Sequence, residues 1–145
     1  MASDYVYFKS YSIDEDGYLA FHEDSSDQFS IGHDTAASLI AILRTVVPDF
    51  YIPAIDPYEC EGFLNPDGQI KNLITPSTLL KASQMAISLL DQIENPLDGV
   101  DSEPIFDINH FFGFSIEKQK ERLIYALNKI RELSNEGYFI IHLKD

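Results

Sequence analysis

The first part of the chain alternates apolar and polar positions with the period of two that is typical of β-strands. Residues 5–11 and 18–22 are rich in aromatic and β-branched side chains, and the acidic turn sequence of residues 14–17 separates them. This arrangement predicts an N-terminal β-hairpin with Gly17 in the turn. Residues 29–31 predict a third short strand.

Three later segments have apolar side chains spaced three and four residues apart, as amphipathic helices do. We expect Asp34 to cap the first helix and Pro48 to end it. The second helix should begin at Thr75, an N-cap residue that is followed by proline. The third should begin at Ser115 and end before Gly137, a typical helix-terminating glycine.

The second helix has the widest apolar stripe, which predicts that it is the most buried of the three and that Leu89 lies in the core. Residues 48–74 and 95–114 are expected to be irregular, with a strong turn signal at residues 65–68. The apolar run of residues 138–143 predicts a final strand that lies inside a sheet.

Together these elements predict a single α+β domain that spans residues 1–145. We expect a small, mainly antiparallel sheet, formed by the N-terminal hairpin and the C-terminal strand, packed against about three helices. The hydrophobic content of 45% is far above that of chains that remain disordered, so the domain should fold on its own despite its charge.

Acidic residues dominate the chain, and their distribution bears on the class of partner. The net charge is −14, and residues 1–114 hold 19 acidic residues against four basic ones. Such a field repels phosphates, so we expect neither direct nucleic-acid binding nor binding to anionic membranes. The sequence has no run of apolar residues long enough to span a bilayer and no signal-peptide pattern, which predicts a cytoplasmic protein.

Residues 12–23 match part of an EF-hand calcium loop. Asp14, Asp16 and the final Glu23 stand at ligand positions, but Ser12 replaces the aspartate that opens such a loop. The strand patterns on both sides favour an acidic hairpin turn over a metal site. We therefore expect no bound metal, and a Ca²⁺-dependent regulatory or adaptor domain stays as an alternative function.

The sequence contains no glycine-rich phosphate loop, no nucleophile elbow and no zinc-protease helix motif. The four histidines lack metal-ligand spacing. Cys60 lies between Glu59 and Glu61, whose negative charges argue against a nucleophilic role. We expect a protein that is not an enzyme and has no cofactor. A small hydrolase, with His33 or His110 paired to a carboxylate by the fold, is the other alternative.

Residues 49–61 combine acidic and aromatic side chains in a segment expected to be a loop. Aromatic side chains are strong anchors at protein interfaces, and carboxylates steer a basic partner towards them. The predicted partner-binding residues are Asp49, Phe50, Tyr51, Asp56, Tyr58, Glu59 and Glu61. The alternative is that Phe50, Tyr51 and Ile55 only pack the loop onto the core.

The sequence Asp-Phe-Tyr-Ile-Pro at residues 49–53 is similar to the binding segment of colicin DNase inhibitors, where an aspartate lies close to paired tyrosines and a proline. In acidity and type the chain resembles the immunity proteins that bacteria make against their own toxins, in colicin and contact-dependent growth inhibition systems. Phe50 replaces one of the tyrosines, and the predicted strands have no counterpart in those helical inhibitors. The resemblance implies a function, neutralisation of a basic toxin such as a nuclease domain by direct binding, and it implies no fold.

Overall fold

The computed structural model describes residues 2–48, 50–92, 105–106 and 115–144. Asp49 and most of the irregular stretch predicted at residues 95–114, including His110, lie outside these ranges. The strands are β1 (Ala2–Phe8), β2 (Tyr11–Ile13), β3 (Leu19–Phe21), β4 (Ser26–Gly32), β5 (Ala54–Ile55) and β6 (Phe139–Leu143), and the helices are α1 (His33–Val46), α2 (Pro76–Gln92) and α3 (Ile116–Asn135). The predicted α+β class is confirmed within the described ranges.

A mixed four-stranded sheet with the order β4-β1-β6-β5 lies at the centre of the fold. β1 pairs antiparallel with β4 on one side and with β6 on the other, so that Tyr5 lies between Phe29 and His142. β5 pairs with β6 in the parallel direction. The predictions of a strand at residues 29–31 and of a C-terminal strand inside the sheet are both confirmed.

A separate hairpin pairs β2 with β3, with Tyr11 opposite Phe21. The acidic turn lies between these two strands, and Gly17 has a φ of +82°, which glycine adopts readily. The prediction was wrong about the first strand of this hairpin. Residues 5–8 do not pair with β3, because they belong to β1 of the central sheet. Alternation identifies strands, but it does not identify which strands pair.

The predicted helix boundaries are largely confirmed by their capping contacts. The Thr75 hydroxyl accepts a hydrogen bond from the Thr78 N–H at 3.3 Å, and the Ser115 hydroxyl accepts one from the Lys118 N–H at 3.2 Å. Gly137 follows α3 with a φ of +91°. The exception is α1, whose N-cap residue is Gly32 and which has no side-chain capping bond at that residue.

The sheet is covered on both faces, which explains why neighbouring residues of one strand are both buried. Tyr5 and Ile140 face α1, α2 and α3 and belong to the larger apolar cluster. Val6 and Ile141 face the opposite way and belong to a second cluster. The second cluster is completed from the hairpin and from the long loop between α1 and α2, by Leu19, Ile55, Cys60 and Ile70.

The prediction that the second helix is the most buried was wrong. Seven of the 14 residues of α1 are buried, against five of the 17 in α2. Leu79 is 1% exposed, but Leu89 is only partly buried and Met85 is 40% exposed. α2 packs through one side, where alanines allow close approach to its neighbours. None of the helices in the described ranges has the length and apolarity needed to cross a bilayer.

Candidate functional site

The acidic hairpin turn and the acidic loop, which are about forty residues apart in the sequence, lie against each other. The Leu19 N–H donates to the Pro57 carbonyl at 2.9 Å, and the Cys60 thiol donates to the Gly17 carbonyl at 3.1 Å. The rings of Tyr18 and Tyr58 meet edge to face, with their centroids 5.5 Å apart. Residues 14–18 and 56–61 therefore form one surface, which we call the acidic tyrosine surface.

The hairpin side of this surface is fixed by Asp14. One oxygen of its carboxylate accepts hydrogen bonds from the N–H groups of Asp16 and Tyr18, both at 2.9 Å. These bonds are typical of an aspartate that stabilises its own turn. Because Asp14 is engaged in this way, the geometry supports the hairpin-turn interpretation. Among the described residues no group of three or more histidine, cysteine or acidic side chains is placed to hold a metal ion.

The loop side is held by a similar device. An oxygen of the Asp56 carboxylate accepts a hydrogen bond from the Tyr58 N–H at 2.9 Å, and the Glu59 N–H donates to the Asp56 carbonyl at 3.2 Å. Cys60 is 1% exposed and anchors the end of this turn in the second cluster. Both acidic segments are thus ordered by their own hydrogen bonds, which lowers the entropic cost of binding a partner.

The acidic tyrosine surface presents aromatic rings within a field of negative charge. Tyr58 is 72% exposed and Tyr18 is 42% exposed. The acidic residues of the surface are Asp14, Glu15, Asp16, Asp56, Glu59 and Glu61, and residues 14–18 and 56–61 contain no lysine or arginine. None of these carboxylates pairs with a basic side chain in the described part of the chain. The surface can therefore attract cationic groups and can offer them ring faces for cation–π contact.

The remaining residues of the predicted binding segment have different environments. Phe50 is 3% exposed and packs in the larger cluster, so little of its side chain is available to a partner. Tyr51 is 46% exposed, but it lines a hollow between α1 and the sheet and has no ring contact with Tyr18 or Tyr58 among the described residues. The structure thus brings together Asp56, Tyr58, Glu59 and Glu61, and it separates Phe50 and Tyr51 from them.

Sequence reasoning missed Tyr18 and the turn acids as part of this surface. The sequence of the acidic turn predicts a hairpin or a calcium loop, and either structure accounts for its acidic residues without a second segment. No pattern in one segment predicts the hydrogen bond from Leu19 to Pro57, since that contact depends on how the hairpin and the loop pack together on one face of the sheet.

His33 and His142 bear on the hydrolase alternative, because each lies close to a side chain with a hydroxyl group. His33 Nδ1 lies 3.2 Å from the hydroxyl of Ser3, and the ring of His142 packs on Tyr5 at 4.9 Å. All four residues line a hollow of about 380 Å³, and burial raises the pKa of the Tyr5 phenol. No carboxylate is among the residues that line this hollow in the described part of the chain. A serine–histidine contact without an acidic orienting group lacks one part of a catalytic triad.

Comparison with known proteins adds no constraint on these possibilities. No protein-family model matches the chain, and neither a curated protein nor a solved structure matches it.

Proposed function

We propose that this chain is a non-enzymatic binding protein that neutralises a basic protein partner by covering that partner's cationic surface. The observation that carries the proposal is the union of two acidic segments around the exposed Tyr18–Tyr58 pair. Charge and aromatic anchors in one ordered surface are what a high-affinity contact with a cationic protein requires.

The two components of the surface have different roles in this proposal. The carboxylates raise the association rate by steering a basic partner, an effect that salt screens over about 8 Å at physiological ionic strength. The tyrosines supply contact area with few rotatable bonds, so they slow dissociation. Of the two tyrosines, Tyr58 is the more exposed, at 72%, and has more surface to bury against a partner.

The kind of partner that best fits is a toxin nuclease domain, and the protein would then act as an immunity protein in the cytoplasm of the cell that makes the toxin. A nuclease binds phosphates with lysine and arginine, so a surface of ordered carboxylates competes with nucleic acid for the same groups. The similarity of residues 49–53 to the binding segment of colicin DNase inhibitors also supports this class of function. Since Phe50 is buried, the comparison no longer extends to paired exposed aromatic residues at that position.

The proposal expects a gene beside that of this chain to encode a basic toxin, and the test uses that protein, with protection of growing cells and binding kinetics as readouts. Tyr58→Ala should cost about 2 kcal/mol or more of binding free energy, roughly thirtyfold in Kd, mainly through faster dissociation. The matched control is Tyr125→Ala, because Tyr125 is also a tyrosine, is 76% exposed and lies on α3 across the sheet. It should leave affinity and protection unchanged.

The charge component has its own paired test. Replacing Glu59 and Glu61 together by glutamine should slow association and weaken its dependence on salt, while dissociation changes little. The same double change at Glu132 and Glu136 removes equal charge from the region where α3 ends and should have less effect on the association rate. Unchanged affinity of both Tyr18→Ala and Tyr58→Ala for the cognate toxin would contradict the proposal, as would a neighbouring gene whose product is neither toxic nor basic.

A further inference from the structure

A hollow of about 460 Å³ on the helix side of the sheet concentrates positive charge in this acidic protein. It lies between β4 and α3, and its lining includes Lys118, Arg122 and Lys129, three of the ten basic residues of the chain. Glu121 is the one acidic residue among the described lining residues. The hollow therefore has a local charge opposite in sign to that of the whole molecule.

Arg122 is held against the start of α1. Its Nε donates to the Thr35 hydroxyl at 3.2 Å. A Cβ atom on Gly32 would lie only 2.9 Å from one terminal nitrogen of this guanidinium, so glycine is needed at Gly32 for the arginine to approach so closely. The same added atom would lie 3.0 Å from a carboxylate oxygen of Asp34, so this carboxylate lies on the same side of Gly32 as the guanidinium and close to it.

This position of Arg122 opposes the dipole of the helix that it touches. The first N–H groups of a helix carry partial positive charge, which favours a nearby anion and disfavours a cation. Asp34 offsets part of that cost. An anion bound in the hollow beside the guanidinium would offset more of it.

The two lysines add to this arrangement from α3. Lys118 lies 3.7 Å from Glu121, but both side chains are more than half exposed, so solvent and salt weaken the pair. The Lys129 ammonium lies over the rings of Tyr7 and Phe29, 5.7 and 5.9 Å from their centroids. These ring contacts hold the third cation at the border of the hollow.

We propose that this hollow is a binding site for a small molecule that carries a phosphate monoester on an apolar body. A phosphate monoester has a charge of about −1.5 to −2 at pH 7. The three cations of the hollow outnumber the two carboxylates near them, Glu121 in the lining and Asp34 beside Arg122, so the site favours an anion. Phe29, Ile31 and Ala126 provide apolar lining for the rest of the ligand. The volume lies within the range of about 300–1,000 Å³ that is usual for small-molecule sites. The site is separate from the acidic tyrosine surface, which lies on the other side of the sheet.

Phenyl phosphate is a suitable probe, titrated into the ¹⁵N-labelled protein at low ionic strength. Saturable shifts of the amide signals of Gly32 and Thr35 are expected, and the uncharged analogue phenol should give none. Inorganic phosphate should bind more weakly than phenyl phosphate, because it leaves the apolar lining uncovered. Equal shifts with phenol, or equal affinity for the two phosphates, would overturn the proposed ligand class.

Variants locate the site. Arg122→Gln should weaken the binding of phenyl phosphate at least tenfold, and Lys118→Gln should weaken it about threefold. Because Lys118 is 54% exposed, Lys118→Gln should leave the fold intact. It therefore still tests the site if Arg122→Gln destabilises the protein. Lys81→Gln removes the same charge from an exposed position on α2 and should leave binding unchanged. No saturable binding at millimolar phenyl phosphate, or equal weakening in Lys118→Gln and Lys81→Gln, would overturn the proposal.

Discussion

Replacing Leu79 by alanine is expected to destabilise the protein by about 2–5 kcal/mol. Leu79 lies in the first turns of α2, is 1% exposed and belongs to the larger cluster on the helix side of the sheet. The change removes apolar atoms that are fully shielded from water, and it leaves a cavity because the surrounding helices relax only in part.

Leu89→Ala provides the matched comparison within the same helix. Both substitutions change helix propensity in the same way, so that contribution cancels between them. Leu89 is only partly buried against the same cluster, so part of its side chain is already in contact with water in the folded protein. The expected loss is therefore smaller, about 1–2 kcal/mol.

Urea denaturation followed by circular dichroism measures both values, and equal m-values would show that the unfolding reaction itself is unchanged. A loss of about 3 kcal/mol corresponds to a fall in Tm of roughly 6–12 °C for a domain of this size. If Leu89→Ala destabilised the protein as much as Leu79→Ala, the assignment of the buried side of α2 would be refuted.

Four other results are expected. Burial raises the pKa of Tyr5 in the folded state, so the unfolded state loses this proton first as the pH rises above about 10. The urea midpoint should therefore fall above that pH, and the fall should be smaller in Tyr5→Phe. Ser115→Ala should lower the free energy of unfolding, measured by thermal unfolding, by about 1 kcal/mol, since the Lys118 N–H loses its capping partner. The Cys60 thiol, 1% exposed, should react with a disulfide reagent slowly in the folded protein and rapidly in urea. Calcium should leave Tm unchanged, because Asp14 is engaged by its own turn, and a strong rise that Asp16→Asn abolished would contradict this.

Local rules were sufficient for most of the secondary structure. The caps at Thr75 and Ser115 and the turn at residues 65–68, where the Gly68 N–H donates to the Asn65 carbonyl at 2.9 Å, each depend on a few neighbouring residues. Such features are decided by contacts within one turn of the chain. They could therefore be predicted from sequence alone.

The pairing of strands and the burial of loop residues could not be predicted in this way. Phe50 and Tyr51 are adjacent aromatic residues in an irregular segment, yet the first is 3% exposed and the second 46%. A helix or strand has a period that separates inward from outward positions, whereas a loop has none. The contact between Tyr18 and Tyr58 likewise depends on two segments packing side by side on one face of the sheet. The part that residues 14–18 play in the acidic tyrosine surface could therefore not be predicted from the sequence.

β1 and β6 are neighbours in the sheet, where Tyr5 pairs with His142, although they lie at opposite ends of the described sequence. The two strands are therefore synthesised at very different times. β1 and β4 can pair while the nascent chain is still short, but β6 emerges from the ribosome only after α3. Until then, one side of β1 has unpaired backbone groups next to apolar side chains, which is the arrangement that favours pairing with other chains. A ribosome that stalls between β4 and residue 139 would leave this edge of β1 unpaired for as long as the stall lasts, so slow codons in that part of the coding sequence should promote aggregation more than slow codons within β1 itself.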